Sequence, residues 1–203
     1  DDLLHLAGVG GAFKLSQAFV ISGRAHNEGG YTTDMQEVLD FVALGTVADI
    51  VPLLGEHRIL VKYGMEMLKK QLRPGVNALI QHAKVDANIQ PSDITFKLAP
   101  RLNAAGRLGD AKLGVHLLLT PDPAKAANIA GLLEEANRTR QNLEREMTSA
   151  ALSQLSLEAL AGAHVIVVSG ENWNPGLIGL TAGRLGLLAC LLDVPAALVH
   201  TDR

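Results

Sequence analysis

The stretch "TPDPAKAANIAGLLEEANRTRQNLEREMTSAALSQLSLEALAG", residues 120–162, constrains the fold more than any other. Asp122 suits an N-cap and Pro123 the first helical position. Apolar or small residues recur at helical spacing at Ile129, Leu132, Ala136, Leu143, Met147, Ala150 and Gln154 or Leu155. Gly162 is a natural C-terminal stop. A helix from Asp122 to Ala161 would be roughly 58 Å long at about 1.5 Å per residue. No small core needs that length, and helices of this kind connect domains. One bent helix, or two helices broken near Ser156, is the alternative.

On either side of this helix the patterning changes. Upstream, "VGGAFKLSQAFV" (residues 9–20) predicts a helix, and the polar, Gly-rich "ISGRAHNEGGYTT" a surface loop. From Asp34, residues Met35, Val38, Leu39, Val42, Ala43 and Thr46 follow helical spacing. Thr33 or Asp34 can cap this helix, Asp49 falls at its end, and Pro52 prevents continuation. "GEHRILVKYGMEMLKK" and "PGVNALIQHAK" predict two more helices. "PSDITFKLAP" predicts a helix capped by Ser92 and stopped at Pro100, followed by a loop "RLNAAGRLGD" and a further helix "DAKLGVHLLLT". Downstream, "HVIVVSG" is a β-branched strand, "ENWNPG" a turn, "LIGLTAGRLGLLACLL" a helix and "VPAALVH" a second strand. That is one βαβ unit, whose edges call for further strands.

With 203 residues, 48% hydrophobic and 19% charged, the chain is globular, not disordered. Aromatics are 3%, so few side chains can stack on a ligand. The net charge of −3 argues mildly against a nucleic-acid binder, though not against a local basic groove. The lone Cys190 rules out an intrachain disulfide framework and fits a reducing, cytoplasmic setting. No signal peptide opens the sequence, and "LGLLACLLDVPAALVH", broken by Asp193 and Pro195, is too short to span a bilayer. The chain starts without Met, in mid-pattern, which suggests a fragment.

Three constellations could carry chemistry. In "VALGTVADIVPLL" (42–54) Asp49 is the only charge. It is either a helix-end carboxylate bonded to backbone N–H groups or an oxygen ligand for a hard divalent cation. In "PRLNAAGRLGD" (100–110), Arg101 and Arg107 offer forked donors for phosphate beside small residues that admit a ligand, or Arg107 pairs with Asp110. In "SGENWNPGLIGLTAGRL" (169–185), a strand–turn–helix start can take an anion, Trp173 can stack on a base, and Arg184 follows; the alternative is a structural turn with a packed Trp. The seven histidines show no metal-ligand spacing, and no Ser-His-Asp, P-loop or dinucleotide pattern occurs.

Taken in order, "LAGVGGAFKLSQAF", "LDFVALGTVADIVPLLGEHRILVKYGMEML", "ITFKLAPRLNAAGRLGDA", the "N..RQ" of the long helix (Asn137, Arg140, Gln141) and "WNPGLIGLTAGRL" resemble the RecJ family of single-stranded-DNA-specific exonucleases, in the DHH phosphoesterase superfamily. The resemblance covers almost the whole chain. It implies an α/β protein: the mostly helical C-terminal part of a DHH domain (1–121), a long connecting helix (122–162) and the start of an α/β DHH-associated domain (163–203). It further implies 5′→3′ degradation of single-stranded DNA in repair and recombination, with Mn²⁺ or Mg²⁺ in a two-metal site. Asp49 would be a catalytic metal ligand, and Arg101, Asn103 and Arg107 would hold DNA phosphates, Arg107 at the 5′ end. Trp173 and Arg184 complete the candidate nucleic-acid-binding residues. Single-stranded-DNA-binding protein and a helicase are the partners the family implies.

Three departures qualify this. The family's earlier metal motifs, including the Asp-His-His triplet, do not occur in the sequence, nor does its Gly-Ser-Gly-Arg-Ser type motif. Position 174 is Asn where many members have His. The chain alone is therefore expected to be inactive. Another DHH phosphoesterase acting on oligonucleotides or cyclic dinucleotides, or a non-catalytic replication scaffold, are the other readings.

Overall fold

The computed structural model describes residues 6–25, 34–156, 165–191 and 197–202. Thr33, Gly162 and residues 157–161 of the expected long helix lie outside these. The described chain is mostly helical, in the order α1 (Gly8–Ala25), a 3₁₀ turn (Met35–Val38), α2 (Leu39–Ala48), α3 (Gly55–Lys70), α4 (Pro74–His82), a turn Pro91–Asp93, a π turn Ile94–Leu98, α5 (Ala99–Leu108), α6 (Lys112–Leu119), α7 (Pro123–Ser153), β1 (Ile166–Glu171), α8 (Pro175–Leu191) and β2 (Ala197–Asp202). No described helix is long and apolar enough to cross a membrane.

Packing divides the chain into two units, Asp1–Asn103 with Lys112–Glu134, and Ala104–Ala111 with Glu135–Arg203. The division falls inside α5 and α7. Residues 104–111 therefore group with the second unit, and the long helix belongs to both.

In the first unit, Asp34 caps the 3₁₀ turn by accepting from Gln36 N–H at 2.9 Å. Phe13, Leu39 and Val42 form a core with Val9, Met35, Val38, Leu60 and Met67. Leu68, Leu79, Ile80, Ile94, Leu98 and Leu117 are also fully buried. Two glycines set how closely backbones meet. A Cβ at Gly64 would lie 2.2 Å from the Leu39 carbonyl oxygen, and one at Gly75 would lie 1.8 Å from that of Leu117. The buried Asp40 is paired with Arg73 at 2.8 Å; the same guanidinium bonds the Glu37 carbonyl and covers the Phe41 ring.

Residues 91–108 correct the sequence expectation. The cap is Gln90, not Ser92: the Gln90 and Asp93 side chains each accept from the other's backbone N–H. Hydrogen bonds from Lys97 and from the Gln90 N–H hold the Asp93 carboxyl below the usual carboxylate range. Pro100 does not stop the helix, and 101–108 are helical rather than a loop. The physical reason lies just before the proline. In the π turn the Ala99 N–H reaches back five residues to Ile94, so the ladder changes step where the proline ring and its missing N–H must be absorbed. Gly109, with φ of 137°, ends the helix.

Helix α7 begins as expected, with Asp122 accepting from the N–H groups of Ala124 and Lys125. It has 31 residues, about 46 Å of rise. Its buried positions are Ala126, Ala130, Leu133, Asn137, Glu144, Met147 and Ala151. Leu132, expected to face inward, is 45% exposed. The buried stripe is thus offset from the expected one and includes two polar residues.

In the second unit, β1 and β2 pair in parallel, Ile166 opposite Ala197 through Glu171 opposite Asp202. With α8 between them they make the expected βαβ unit. The core joins Met147 and Ala151 of α7 to Ile166, Val168, Trp173, Leu177 and Leu185. The Gln154 amide bonds both the carbonyl (2.7 Å) and the N–H (3.3 Å) of Ser169, satisfying backbone groups at the edge of β1.

The close helix approach at Gly75 gives a test. Gly75→Ala should destabilise the chain by about 2 kcal/mol or more, through overpacking against backbone. Gly183→Ala, with nothing within 4 Å of the new Cβ, should be neutral or stabilise by about 0.5–1 kcal/mol. Urea unfolding of both variants checks this; equal stabilities would contradict the close approach.

Candidate functional site

Asp49 is the C-cap of α2, and its environment follows from how that helix stops. Its own N–H bonds Gly45 O at 3.0 Å. Beyond it the Ile50 N–H reaches Val47 O and the Val51 N–H reaches Thr46 O, the two bonds of a Schellman ending. The residue forced into the left-handed region is Ile50, with φ of 55°. Glycine is usual there, and a β-branched residue in that conformation costs about 1–3 kcal/mol.

Val42, Ala43, Leu44 and Val47 anchor the helix in the core, while Asp49 is exposed and Ile50 and Leu54 are 76% and 73% exposed. The apolar flank before Asp49 is therefore a buried wall, and the flank after it faces outward. Among the described residues the Asp49 carboxylate accepts no hydrogen bond and joins no ion pair, so the helix-end hydrogen-bonding role does not occur there.

The turn is pinned from its far side. Buried His57 sits with Nδ1 3.3 Å from the Pro52 carbonyl oxygen, and its backbone N–H bonds Leu54 O. A lone exposed carboxylate suits a hard cation as one oxygen ligand. The described residues contain no group of three or more His, Cys, Asp and Glu able to hold a metal. Asp49 thus fits as a single donor, and the described residues assemble no cage around it.

The other predicted residues separate by unit. In the first, Arg101 is largely tied up: its Nε pairs with Glu134 at 2.6 Å and its Nη1 donates to Lys97 O at 2.6 Å, with the side chain 15% exposed. Asn103 is exposed.

In the second unit, exposed Arg107 donates from Nη1 to Gly176 O at 3.0 Å. Gly176 must be glycine for this contact, since a Cβ would lie 2.3 Å from Arg107 O. Asn174 caps α8, accepting from the Gly176 N–H at 2.8 Å, which gives the asparagine at this position a structural use. Trp173 corrects the stacking expectation. It is 9% exposed, belongs to the core and leaves no room for a Cβ at Gly170, so its ring is not offered to a base. Arg184 is half exposed and pairs through Nε with Glu144 at 2.7 Å.

Sequence reasoning missed Asn137, Arg140 and Glu144 as a linked set. Their spacing of three and four puts them on one helix face. Glu144 Oε2 accepts from Arg140 Nη1 at 2.7 Å, and Asn137 Oδ1 accepts from Arg140 Nε and Nη2 at 3.2 and 3.0 Å. The "N..RQ" signal was visible, but nothing in the sequence tied it to Glu144.

No family model matches the chain. Both the sequence and the backbone resemble one class of protein, exonucleases named for their specificity for single-stranded DNA. RecJ of Escherichia coli is 39% identical over 193 residues and that of Bacillus subtilis 38% over 182, each alignment covering 89% of this chain. The chain spans only 33% and 22% of those relatives' lengths. The crystal structure of Thermus thermophilus RecJ with Mn²⁺ superposes with a TM-score of 0.71 at 33% identity, over 82% of this chain and 24% of that one. The Mg²⁺ complex gives 0.72 at 34% identity, over 82% and 25%. The chain is similar to a segment of RecJ.

The Arg101 geometry makes a prediction. A double-mutant cycle of Arg101→Ala and Glu134→Ala should give a coupling energy of about 1–2 kcal/mol, as expected for a charge pair largely removed from water. A coupling near zero would mean that the pair is idle and the guanidinium free for a ligand.

Proposed function

We propose that this chain is part of a metal-dependent exonuclease that degrades single-stranded DNA from the 5′ end, in DNA repair and recombination, and that Asp49 supplies one carboxylate of its metal site. One observation carries the assignment of Asp49. An exposed carboxylate without a partner among the described residues is held at a helix end by a turn that keeps an isoleucine in a strained conformation. Neither feature serves stability, and their coincidence is what a ligand-facing residue requires. The similarity to RecJ, including proteins crystallised with Mn²⁺ and Mg²⁺, supports the choice of metal.

A bound Mn²⁺ or Mg²⁺ pair would lower the pKa of a water and offset charge on the attacked phosphate. The chain's own residues would do the rest. Asp49 offers oxygen at a fixed place, because the Schellman ending and the His57–Pro52 contact leave the turn little freedom. Arg107, Asn103 and, to the extent that Glu134 releases it, Arg101 would hold phosphate oxygens. Single-stranded-DNA-binding protein and a helicase remain partners inferred from the resemblance. The other reading is a non-catalytic replication scaffold, which differs from this one in whether the metal motifs expected upstream are intact.

Nuclease assays separate these readings. The 203-residue chain should not cleave labelled single-stranded DNA with Mn²⁺ or Mg²⁺, since its described residues assemble no cage. The gene's full product should cleave it from the 5′ end, and Asp49→Ala should lower turnover by about a thousandfold or more while the fold persists. Cleavage by the 203-residue chain would refute the incomplete-cage account. A full product inactive with either metal would favour the scaffold.

A further inference from the structure

Among residues 52–60 only His57 is buried, at 6% exposure. Leu53, Leu54, Gly55, Arg58 and Ile59 around it are exposed. A leucine would fill that place with no polar atoms to satisfy. The imidazole satisfies one of its two nitrogens. Nδ1 lies 3.3 Å from the Pro52 carbonyl oxygen, which can only accept, so Nδ1 carries a proton and donates. Nε2 is buried and has no hydrogen-bond partner among the described residues. A buried polar atom left unsatisfied is costly, so a histidine here does not serve packing alone.

The bond that Nδ1 makes closes the link between α2 and α3. The Pro52 carbonyl also accepts the Leu54 N–H at 2.9 Å, and the His57 N–H bonds the Leu54 carbonyl at 3.1 Å. The proline ring sets φ of residue 52, and two donors on its carbonyl set the orientation of the peptide that follows. On the α2 side, the Schellman bonds of Ile50 and Val51 fix the residues just after Asp49. Glu56, beside His57, is paired with Lys14 of α1, so the start of α3 is itself anchored. Asp49 therefore opens a segment held at both ends, and His57 supplies the far hold.

We propose that His57 is a positioning residue that sets which cation the Asp49 site prefers: by keeping the backbone under the carboxylate in one place, it favours Mn²⁺ and Mg²⁺ over Ca²⁺. This rests on the reading of Asp49 as a metal ligand and extends it to selectivity. Mg²⁺ demands a near-octahedral shell with oxygens at about 2.1 Å, and Mn²⁺ takes the same shape. Ca²⁺ accepts about six to eight oxygens at about 2.3–2.6 Å in a flexible shell. A carboxylate on a fixed turn suits the first two ions. One on a turn free to shift outward suits Ca²⁺ as well.

Mn²⁺ and Ca²⁺ affinities of the gene's full product test this without turnover, the first by electron paramagnetic resonance and the second by competition against Mn²⁺. His57→Ala should weaken Mn²⁺ by about tenfold and Ca²⁺ by less, so that the preference narrows. His57→Asn places an amide N–H near the position of Nδ1 and no atom at that of Nε2, and should restore the preference. His57→Gln places its donor near the position of Nε2 instead, and should behave as His57→Ala does. Circular dichroism establishes that each variant folds. If His57→Ala does not, the contrast between His57→Asn and His57→Gln decides the matter.

Asp49→Asn separates this inference from the reading beneath it. Mn²⁺ lost in Asp49→Asn, with the Mn²⁺ to Ca²⁺ ratio unchanged in His57→Ala and His57→Gln, would overturn the selectivity role and keep the ligand. So would ratios that are alike in His57→Asn and His57→Gln. Unchanged Mn²⁺ binding in Asp49→Asn would remove the ligand, and the role of His57 with it.

Discussion

The buried stripe of α7 is the constraint on which the rest of the structure depends. Its inward positions run Ala126, Ala130, Leu133, Asn137, Glu144, Met147 and Ala151, at intervals of three, four or seven. Small and apolar members fill the first unit's core, and Met147 and Ala151 join the second unit's core. Between them the stripe is polar. Asn137 and Glu144 can be buried only because Arg140, one turn from each, closes their hydrogen bonds. A rotation of the helix by one residue would expose Leu133 and strand a carboxylate without its partners. The polar segment thus fixes the rotation of a helix that small side chains alone would leave loosely specified.

The turn at Asp49 works in the opposite sense. Elsewhere in the first unit, buried charge is neutralised, as at Asp40 with Arg73. At the end of α2 the carboxylate is exposed, and the next residue holds a backbone conformation that glycine would adopt more easily. Destabilising choices of this kind persist where a ligand rather than the fold sets the requirement.

Much of this fold is readable from the residues, and the failures have physical causes. The limits of α3 follow from Pro52 and Gly55 ahead of an amphipathic run, and the βαβ unit from two β-branched segments around a helix. Hydrophobic periodicity misplaces the stripe of α7 because it ignores Asn137 and Glu144, whose burial depends on partners the sequence does not show. Pro100 ordinarily ends a helix, so the sequence predicts a loop over 101–108, and no sequence rule announces a π turn. A turn tryptophan such as Trp173 is ambiguous in sequence, and only the neighbouring Gly170, which makes room for its ring, decides that it packs inward. The arginines were legible as candidates, but their division into tied and available groups was not. Arg101 and Arg140 look no different in sequence from Arg107 and Arg184.

The central claim is that Asp49 faces a metal, and Mn²⁺ titration followed by electron paramagnetic resonance tests it without depending on turnover. In the gene's full product, Asp49→Asn should lose at least one bound Mn²⁺ equivalent, or weaken it by about tenfold or more, with its circular dichroism unchanged. Mn²⁺ binding of the same stoichiometry and affinity as in the unsubstituted protein would contradict the account.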